Sequence, residues 1–122
     1  MDQAMKKLHN WQTMERPAAV IGKPARPIAG DTETQTTEWF TAEAGRASAG
    51  VWQATAGVFR SDTTGYIEFC HIIEGHCRVV DPDGTVHVLK AGDSFVMPEG
   101  YKGHWEVDDF VKKCYFVSVV AP

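Results

Sequence analysis

The 122-residue chain is 43% apolar and 23% charged, with a formal net charge of -4 at pH 7. A chain of this length fits one compact domain with a core of its own. Because the charge balance is acidic, no basic field is available to hold a phosphate backbone, and we expect no nucleic-acid partner. No apolar run reaches the roughly 20 residues of a membrane span or the length of a signal peptide, so we expect no membrane partner and a cytoplasmic location.

The first 35 residues differ in composition from the rest of the chain. They contain Pro17, Pro24 and Pro27 and show no sustained hydrophobic period of either 2 or 3.6 residues. This pattern indicates an irregular N-terminal arm over residues 1–35, which we expect to be partly disordered or packed on a partner subunit. Disorder is expected above all in residues 1–10, since chain ends are ordered only where something ties them down.

Residues 36–122 contain short segments rich in Val, Ile, Phe, Tyr and Trp, with turn residues between them. Strand signals at this regular spacing predict an all-β sandwich or barrel. Pro82 and Gly84 form a turn signal, because proline fixes φ and glycine accepts a positive φ, and this turn predicts a hairpin. The predicted strands are residues 36–41, 50–55, 58–60, 66–73, 76–80, 85–89, 94–97, 103–107 and 113–120.

Two spaced motifs narrow the fold class. Glu68 is followed seven residues later by Gly75, a spacing that predicts a strand and then a turn, and Gly92, Pro98 and Gly100 form a second group. Over about residues 50 to 120 these motifs resemble the two motifs of the cupin superfamily. The resemblance implies a small single-domain cupin, in which a jelly-roll barrel (a double-stranded β-helix) follows the arm.

The metal ligands of that superfamily are mostly missing here. Metal-bearing cupins have a His-x-His before the motif glutamate and a third histidine after the second motif. Here the sequence SDTT at residues 61–64 and Gly103 hold those positions, so only Glu68 remains of four usual ligands. We therefore expect no cofactor and no divalent transition metal of the usual kind. The remaining candidate metal ligands are Glu68, Cys70 and His104. His104 is one residue out of register with the third histidine of metal-bearing cupins, which would turn its side chain to the opposite face of the strand.

Four residues outside those motifs point to a narrower group. Gly103, Trp105, Lys113 and Tyr115 are similar to the pattern of small cupins grouped with the cupin domain of ureidoglycine aminohydrolase, a manganese-dependent hydrolase that uses the histidine set absent here. The resemblance implies a ureido-type ligand. The chain also resembles the ethanolamine-utilisation cupin, which lacks the same histidines.

A candidate site follows from strand alternation. Tyr66 and Cys70 share the face of Glu68, and burial would destabilise the charge of Glu68 unless a cation lay near it. Lys113 on the last strand is our candidate cation, and Tyr115 shares its face. Cys70 has the alternative role of a small buried apolar residue. The last strand is also ambiguous, since the face with Lys112, Cys114, Phe116 and Ser118 could point inward instead.

These residues support two hypotheses. In the first, a small polar ligand, carboxylated or ureido, is hydrolysed, isomerised or cleaved with Glu68, Lys113 and Tyr115 as catalytic residues. In the second, the protein is a non-catalytic ligand sensor or assembly subunit, and Glu68 and Lys113 form a structural ion pair among core aromatics. In both cases we expect a homodimer. The candidate ligand-binding residues are Trp52, Tyr66, Cys70 and Trp105.

Overall fold

A computed structural model describes residues 6–120, and nearly all of its regular structure is β-strand. The prediction of an all-β fold is confirmed. The one helical element is a single 3-10 turn at Glu43–Gly45. The strands are β1 (Val20–Gly22), β2 (Pro27–Ala29), β3 (Thr34–Thr41), β4 (Ala47–Arg60), β5 (Tyr66–Val80), β6 (Val86–Lys90), β7 (Ser94–Met97) and β8 (His104–Val119).

The strands form one antiparallel sheet in the order β1-β3-β4-β8-β5-β6, while β2 pairs with β4 and β7 pairs with β5. The three longest strands, β4, β8 and β5, lie side by side at its centre. The central strand β8 pairs with β4 and β5, which lie far from it in the chain, as expected for a jelly-roll barrel rather than a simple meander. The site described below is built mainly from these three strands.

Three pairs of predicted strands are each one long strand in the structure. The predicted turn at Gly75 was wrong, because β5 runs through this residue without reversing. Gly75 instead lies between two register shifts in the pairing of β5 with β8, and its φ is 77°. A side chain here would collide with the carbonyl oxygen of Phe110, so the glycine permits a bulge inside a continuous strand.

The predicted hairpin after β5 is confirmed. The amide of Asp81 donates to the carbonyl oxygen of Thr85 at 2.9 Å, and the amide of Gly84 donates to the carbonyl oxygen of Asp81 at 2.9 Å. Gly84 has a φ of 91°, the conformation for which glycine is favoured at a turn. This turn joins β5 to β6.

The N-terminal segment contributes two short exposed strands, with β1 against β3 and β2 against β4. Farther upstream, the ring of Trp11 stacks on that of Trp39 of β3 with 5.4 Å between centroids. The disorder expected for residues 1–10 falls partly on residues 1–5, which lie outside the described residues.

Strand alternation decides which side chains enter the barrel. Cys70 and Ile72 on β5 are fully buried, as the shared face with Glu68 predicts, whereas the preceding residue Phe69 is exposed. On β8 the buried set includes Trp105, Val107, Val111 and Lys113. This observation resolves the ambiguity of the last strand, since Lys113 and not Phe116 faces the core.

Among residues 6–120, no helix is long and apolar enough to cross a membrane.

Candidate functional site

An ion pair lies inside the barrel. Lys113 Nζ on β8 lies 2.6 Å from Glu68 Oε2 on β5, and the two side chains are only 7% and 13% exposed. Burial pushes the pKa of Lys113 down, but the negative charge of Glu68 and the contacts with Glu68 and Cys70 together outweigh it, so the pKa lies above its ordinary value. Lys113 is therefore an ammonium at neutral pH, and it supplies the positive charge that the sequence predicted next to Glu68.

Cys70 completes a three-residue cluster with this pair. Its thiol donates to Glu68 Oε2 at 3.3 Å, and its sulfur lies 3.4 Å from Lys113 Nζ. Burial raises the pKa of Cys70 to about 12. The thiol therefore stays protonated at neutral pH, so it acts as a hydrogen-bond donor to the carboxylate and not as a nucleophile or thiolate ligand.

Two tryptophans flank the ammonium. Lys113 Nζ lies 4.7 Å from the ring centroid of Trp52 and 4.7 Å from that of Trp105, both within the range of a cation–π interaction. The two rings meet edge to face with centroids 5.4 Å apart. Lys113 is thus held by one carboxylate and two aromatic faces, which fixes its position.

A cavity of about 240 Å³ opens onto the ion pair. Glu68 lines it, and within residues 6–120 the hydrogen bonds to its carboxylate all go to Oε2, from Lys113 and Cys70. Oε1 is therefore the oxygen available to a bound molecule. The cavity is lined by Thr36, Trp52, Phe59, Arg60, Ser61, Glu68, Met97, Trp105, Lys113, Tyr115 and Val117.

Tyr115 supplies a donor to the same cavity. Burial, with added repulsion from Glu38 and Glu68, raises the pKa of Tyr115 to about 12, so its hydroxyl keeps its proton at neutral pH. Tyr115 crosses β4 at Gly50, where an added Cβ would lie 2.7 Å from the phenol oxygen. The absence of a side chain at Gly50 is what lets the phenol lie there.

Five of the seven candidate residues line the cavity: Glu68, Lys113, Tyr115, Trp52 and Trp105. The structure places the other two elsewhere. Cys70 lies behind the ion pair, where its thiol contacts Glu68 and Lys113. Tyr66 lines a neighbouring hollow with Arg26 and Asp62, and its hydroxyl donates to the Asp62 carbonyl oxygen at 3.1 Å.

The remaining metal candidates do not converge. His104 lies on the face of β8 opposite Trp105, and its Nε2 is 3.1 Å from Glu106 Oε2. In the described part of the chain, no group of three or more His, Cys, Asp or Glu side chains is arranged to hold a metal ion. The charge of Glu68 is already balanced by the Lys113 ammonium and its other close neighbour is a protonated thiol, so these residues do not fit the metal that the cupin fold commonly holds.

Sequence reasoning missed several cavity residues, among them Thr36, Arg60 and Met97. Thr36 lies in β3, directly opposite Trp52 of β4, and Met97 lies opposite Glu68 in the pairing of β7 with β5. Only the register between strands brings them to the site. Arg60 carried a usable signal, since it is a charged residue at the end of a predicted apolar strand.

Comparison with known proteins identifies a protein family that matches this chain. The family described as EutQ-like cupin domain matches residues 41–115, more than half of the chain. No curated protein matches the sequence.

Three similar solved structures illustrate how far the likeness extends. The EutQ protein of Clostridium difficile is 22% identical over 72% of this chain and 69% of its own, with a TM-score of 0.64. A protein of unknown function from Pseudomonas syringae pv. tomato is 20% identical over 88% of this chain and 46% of its own, with a TM-score of 0.71. A DUF861 family protein from Thermotoga maritima is 31% identical over 53% of this chain and 73% of its own, with a TM-score of 0.50.

At such identities the first two structures support the fold alone, whereas the family match spans the strands that build the site, from the end of β3 to Tyr115 in β8. The chain belongs to the family of EutQ-like cupin domains.

Proposed function

We propose that the barrel binds a small polar metabolite and that Glu68 exchanges a proton with it, in a hydrolytic, isomerising or lyase reaction. The observation that carries this proposal is the asymmetry of the Glu68 carboxylate. Lys113 and Cys70 bind Oε2, no hydrogen bond within residues 6–120 uses Oε1, and Glu68 lines a cavity of about 240 Å³. A carboxylate that is fixed at one oxygen and open at the other suits a general base.

The neighbouring groups have distinct roles in this proposal. Lys113 balances the charge of the Glu68 carboxylate at 2.6 Å, and contacts with Trp52 and Trp105 hold its ammonium in place. Tyr115 donates a hydrogen bond to a carbonyl or similar acceptor of the bound molecule. The aromatic rings supply apolar walls, an arrangement usual for small-molecule sites. A carboxylated or ureido compound has acceptors for Tyr115 and, in the ureido case, N–H donors for Glu68.

No metal takes part in the proposed reaction. The donors around Glu68 are an ammonium and a protonated thiol, neither of which coordinates a divalent cation. The manganese chemistry of ureidoglycine aminohydrolase is therefore not part of the proposal. What this chain would share with that enzyme is at most the class of ligand.

The proposal is tested by incubating the full chain with a metabolite extract and following the mixture by mass spectrometry. We expect at least one small polar metabolite to be consumed, and we expect Glu68→Gln to lower that rate by at least about 100-fold, the usual contribution of a general base. Glu74→Gln is the matched control, since Glu74 is exposed on the same strand. An unchanged rate in Glu68→Gln, or no consumption by the unsubstituted protein, would contradict the catalytic role.

A second candidate function, a non-catalytic assembly subunit, is favoured by an apolar row on the outer surface. Val96 of β7, Phe69 of β5 and Phe116 of β8 lie opposite one another in register, and all three are exposed. We propose that this row is buried in a homodimer, where the N-terminal arm could also pack on the partner subunit.

Light scattering at micromolar concentration tests the homodimer. We expect twice the chain mass for the natural sequence and a monomeric mass for the double substitution Phe69→Ser with Phe116→Ser. Val88→Ser, at an exposed position on β6, is the control and should stay dimeric. A monomeric mass for the unsubstituted chain would refute the dimer.

A further inference from the structure

Arg60 carries the uncompensated charge at the mouth of the barrel. Three charged side chains line the cavity, namely Arg60, Glu68 and Lys113, and the last two neutralise each other at 2.6 Å. Three charged side chains also line the neighbouring hollow, namely Arg26, Arg60 and Asp62, and there Arg26 is paired with Asp62. In both places Arg60 is the charge that remains.

The position of Arg60 joins the two openings. Arg60 and Ser61 line the cavity and the hollow alike, so they form the rim between them. Arg60 is exposed at the end of β4, and the salt bridges of arginine side chains within residues 6–120 are made by Arg26 and Arg78. Its backbone is fixed, because its amide donates to the Arg26 carbonyl oxygen at 2.9 Å.

This local charge is opposite to that of the whole molecule, whose formal net charge is -4. A single unpaired guanidinium at the entrance of a small pocket favours an anion, and its planar fork matches a carboxylate with two parallel hydrogen bonds. The interior end of the pocket offers Glu68 Oε1, which accepts a hydrogen bond. A ligand that satisfies both ends therefore has a negative group at the mouth and an N–H or O–H group inside.

We propose that Arg60 is the specificity-determining residue of the site and that it selects small monocarboxylates carrying an N–H or O–H group. This inference rests on the proposed function only for the location of the ligand, and it names the class of ligand. One unpaired positive charge matches a monoanion better than a phosphate dianion. The cavity, at about 240 Å³, is smaller than the usual pocket for a drug-sized ligand, so the carboxylate is that of a small metabolite.

The test is an NMR titration of the ¹⁵N-labelled full chain with three probes: N-acetylglycine, its neutral amide N-acetylglycinamide, and inorganic phosphate. We expect N-acetylglycine to shift the backbone amides of Arg60, Ser61 and Glu68, and to bind at least about tenfold more tightly than either other probe. Arg60→Gln should lower the affinity for N-acetylglycine by at least about tenfold, the loss expected for a charge-assisted hydrogen bond.

Arg46→Gln is the matched control, because Arg46 is an exposed arginine just before the opposite end of β4 and should leave the affinity unchanged. Equal binding of the neutral amide, preference for phosphate, no binding of N-acetylglycine, or equal losses in both arginine variants would each overturn the assignment.

Titration of Glu68→Gln separates this inference from the catalytic proposal. If carboxylate selectivity persists in that variant and depends on Arg60 while no metabolite is consumed by the unsubstituted protein, the catalytic role fails and the specificity assignment stands. If metabolites are consumed but Arg60→Gln binds and turns them over normally, the specificity assignment fails and the catalytic role stands.

Discussion

The same two strands, β5 and β8, carry two clusters of opposite charges, one outside the barrel and one inside. Outside, Arg78 of β5 contacts Glu106 and Asp108 of β8, each at 2.8 Å. Inside, Glu68 of β5 contacts Lys113 of β8 at 2.6 Å. The outer side chains are a third to a half exposed, whereas those of the inner pair are 7% and 13% exposed.

Because they differ in burial, the two clusters of charges respond differently to water, salt and the loss of a partner. In the outer cluster water and salt screen the charges, and every nitrogen group of Arg78 has an acidic partner. In the inner pair each charge depends on the other, because burial limits the water that could replace its partner. The inner pair also lines a cavity and leaves one carboxylate oxygen without a hydrogen bond within residues 6–120. The outer cluster therefore acts as a contact between two strands of the sheet, whereas the inner pair is the candidate for catalysis.

Removing the inner cation should have the larger effect on stability. Lys113→Met leaves the Glu68 carboxylate buried without its partner, and we expect a loss near the lower end of the roughly 3–5 kcal/mol typical of a broken buried pair. The lower end applies because Glu68 lines a cavity that can admit water. Chemical denaturation at neutral pH measures this loss as a change in the free energy of unfolding.

The double substitution Glu68→Leu with Lys113→Met is the control for this experiment. It removes both charges, and we expect it to recover most of the lost stability, since an apolar pair can replace a buried ion pair. A Lys113→Met variant as stable as the unsubstituted protein would show that the inner charges are not interdependent.

The inner pair should also lose its effect at alkaline pH. The pKa of Lys113 is raised in the folded state, so its contribution is complete below the unfolded value of roughly 10.4 and is lost as the pH rises through the higher folded value. The difference in stability between the unsubstituted protein and Lys113→Met should therefore shrink only above about pH 10.4.

Removing the outer cation should have a smaller effect, with the opposite pH dependence. Hydrogen bonds from Arg78 hold the pKa values of Glu106 and Asp108 below their ordinary range. Their contribution is present above the unfolded values of roughly 4 and is lost as the pH falls through the lower folded values. Arg78→Gln should thus destabilise the protein slightly at pH 7, less at 1 M salt, and less still below about pH 4.

Thermal unfolding at matched pH and salt measures the outer effect. If Arg78→Gln cost as much stability as Lys113→Met, or if salt left its effect unchanged, burial would not be what distinguishes the two clusters.

Much of the fold was accessible from the sequence, for local reasons. The spacing of apolar segments predicted an all-β chain, and Pro82 and Gly84 predicted the hairpin, because turn geometry depends on a few adjacent residues. The turn predicted at Gly75 failed for a non-local reason. A glycine with positive φ serves a bulge as well as a turn, and the path of the paired strand β8 decides between them.

The candidate site was partly accessible for the same reasons. By itself the sequence determined that Cys70 shares the face of Glu68, and that Lys113 shares the face of Tyr115, because side chains alternate along a strand.

The tertiary structure decided which face of β8 is inside, that Lys113 contacts Glu68, and that Tyr66 lies in the neighbouring hollow. It also brought Thr36, Met97 and Arg60 to the cavity from three different strands. Alternation is a property of one strand and can be read locally, whereas a shared cavity depends on the register between strands, which long-range pairing sets.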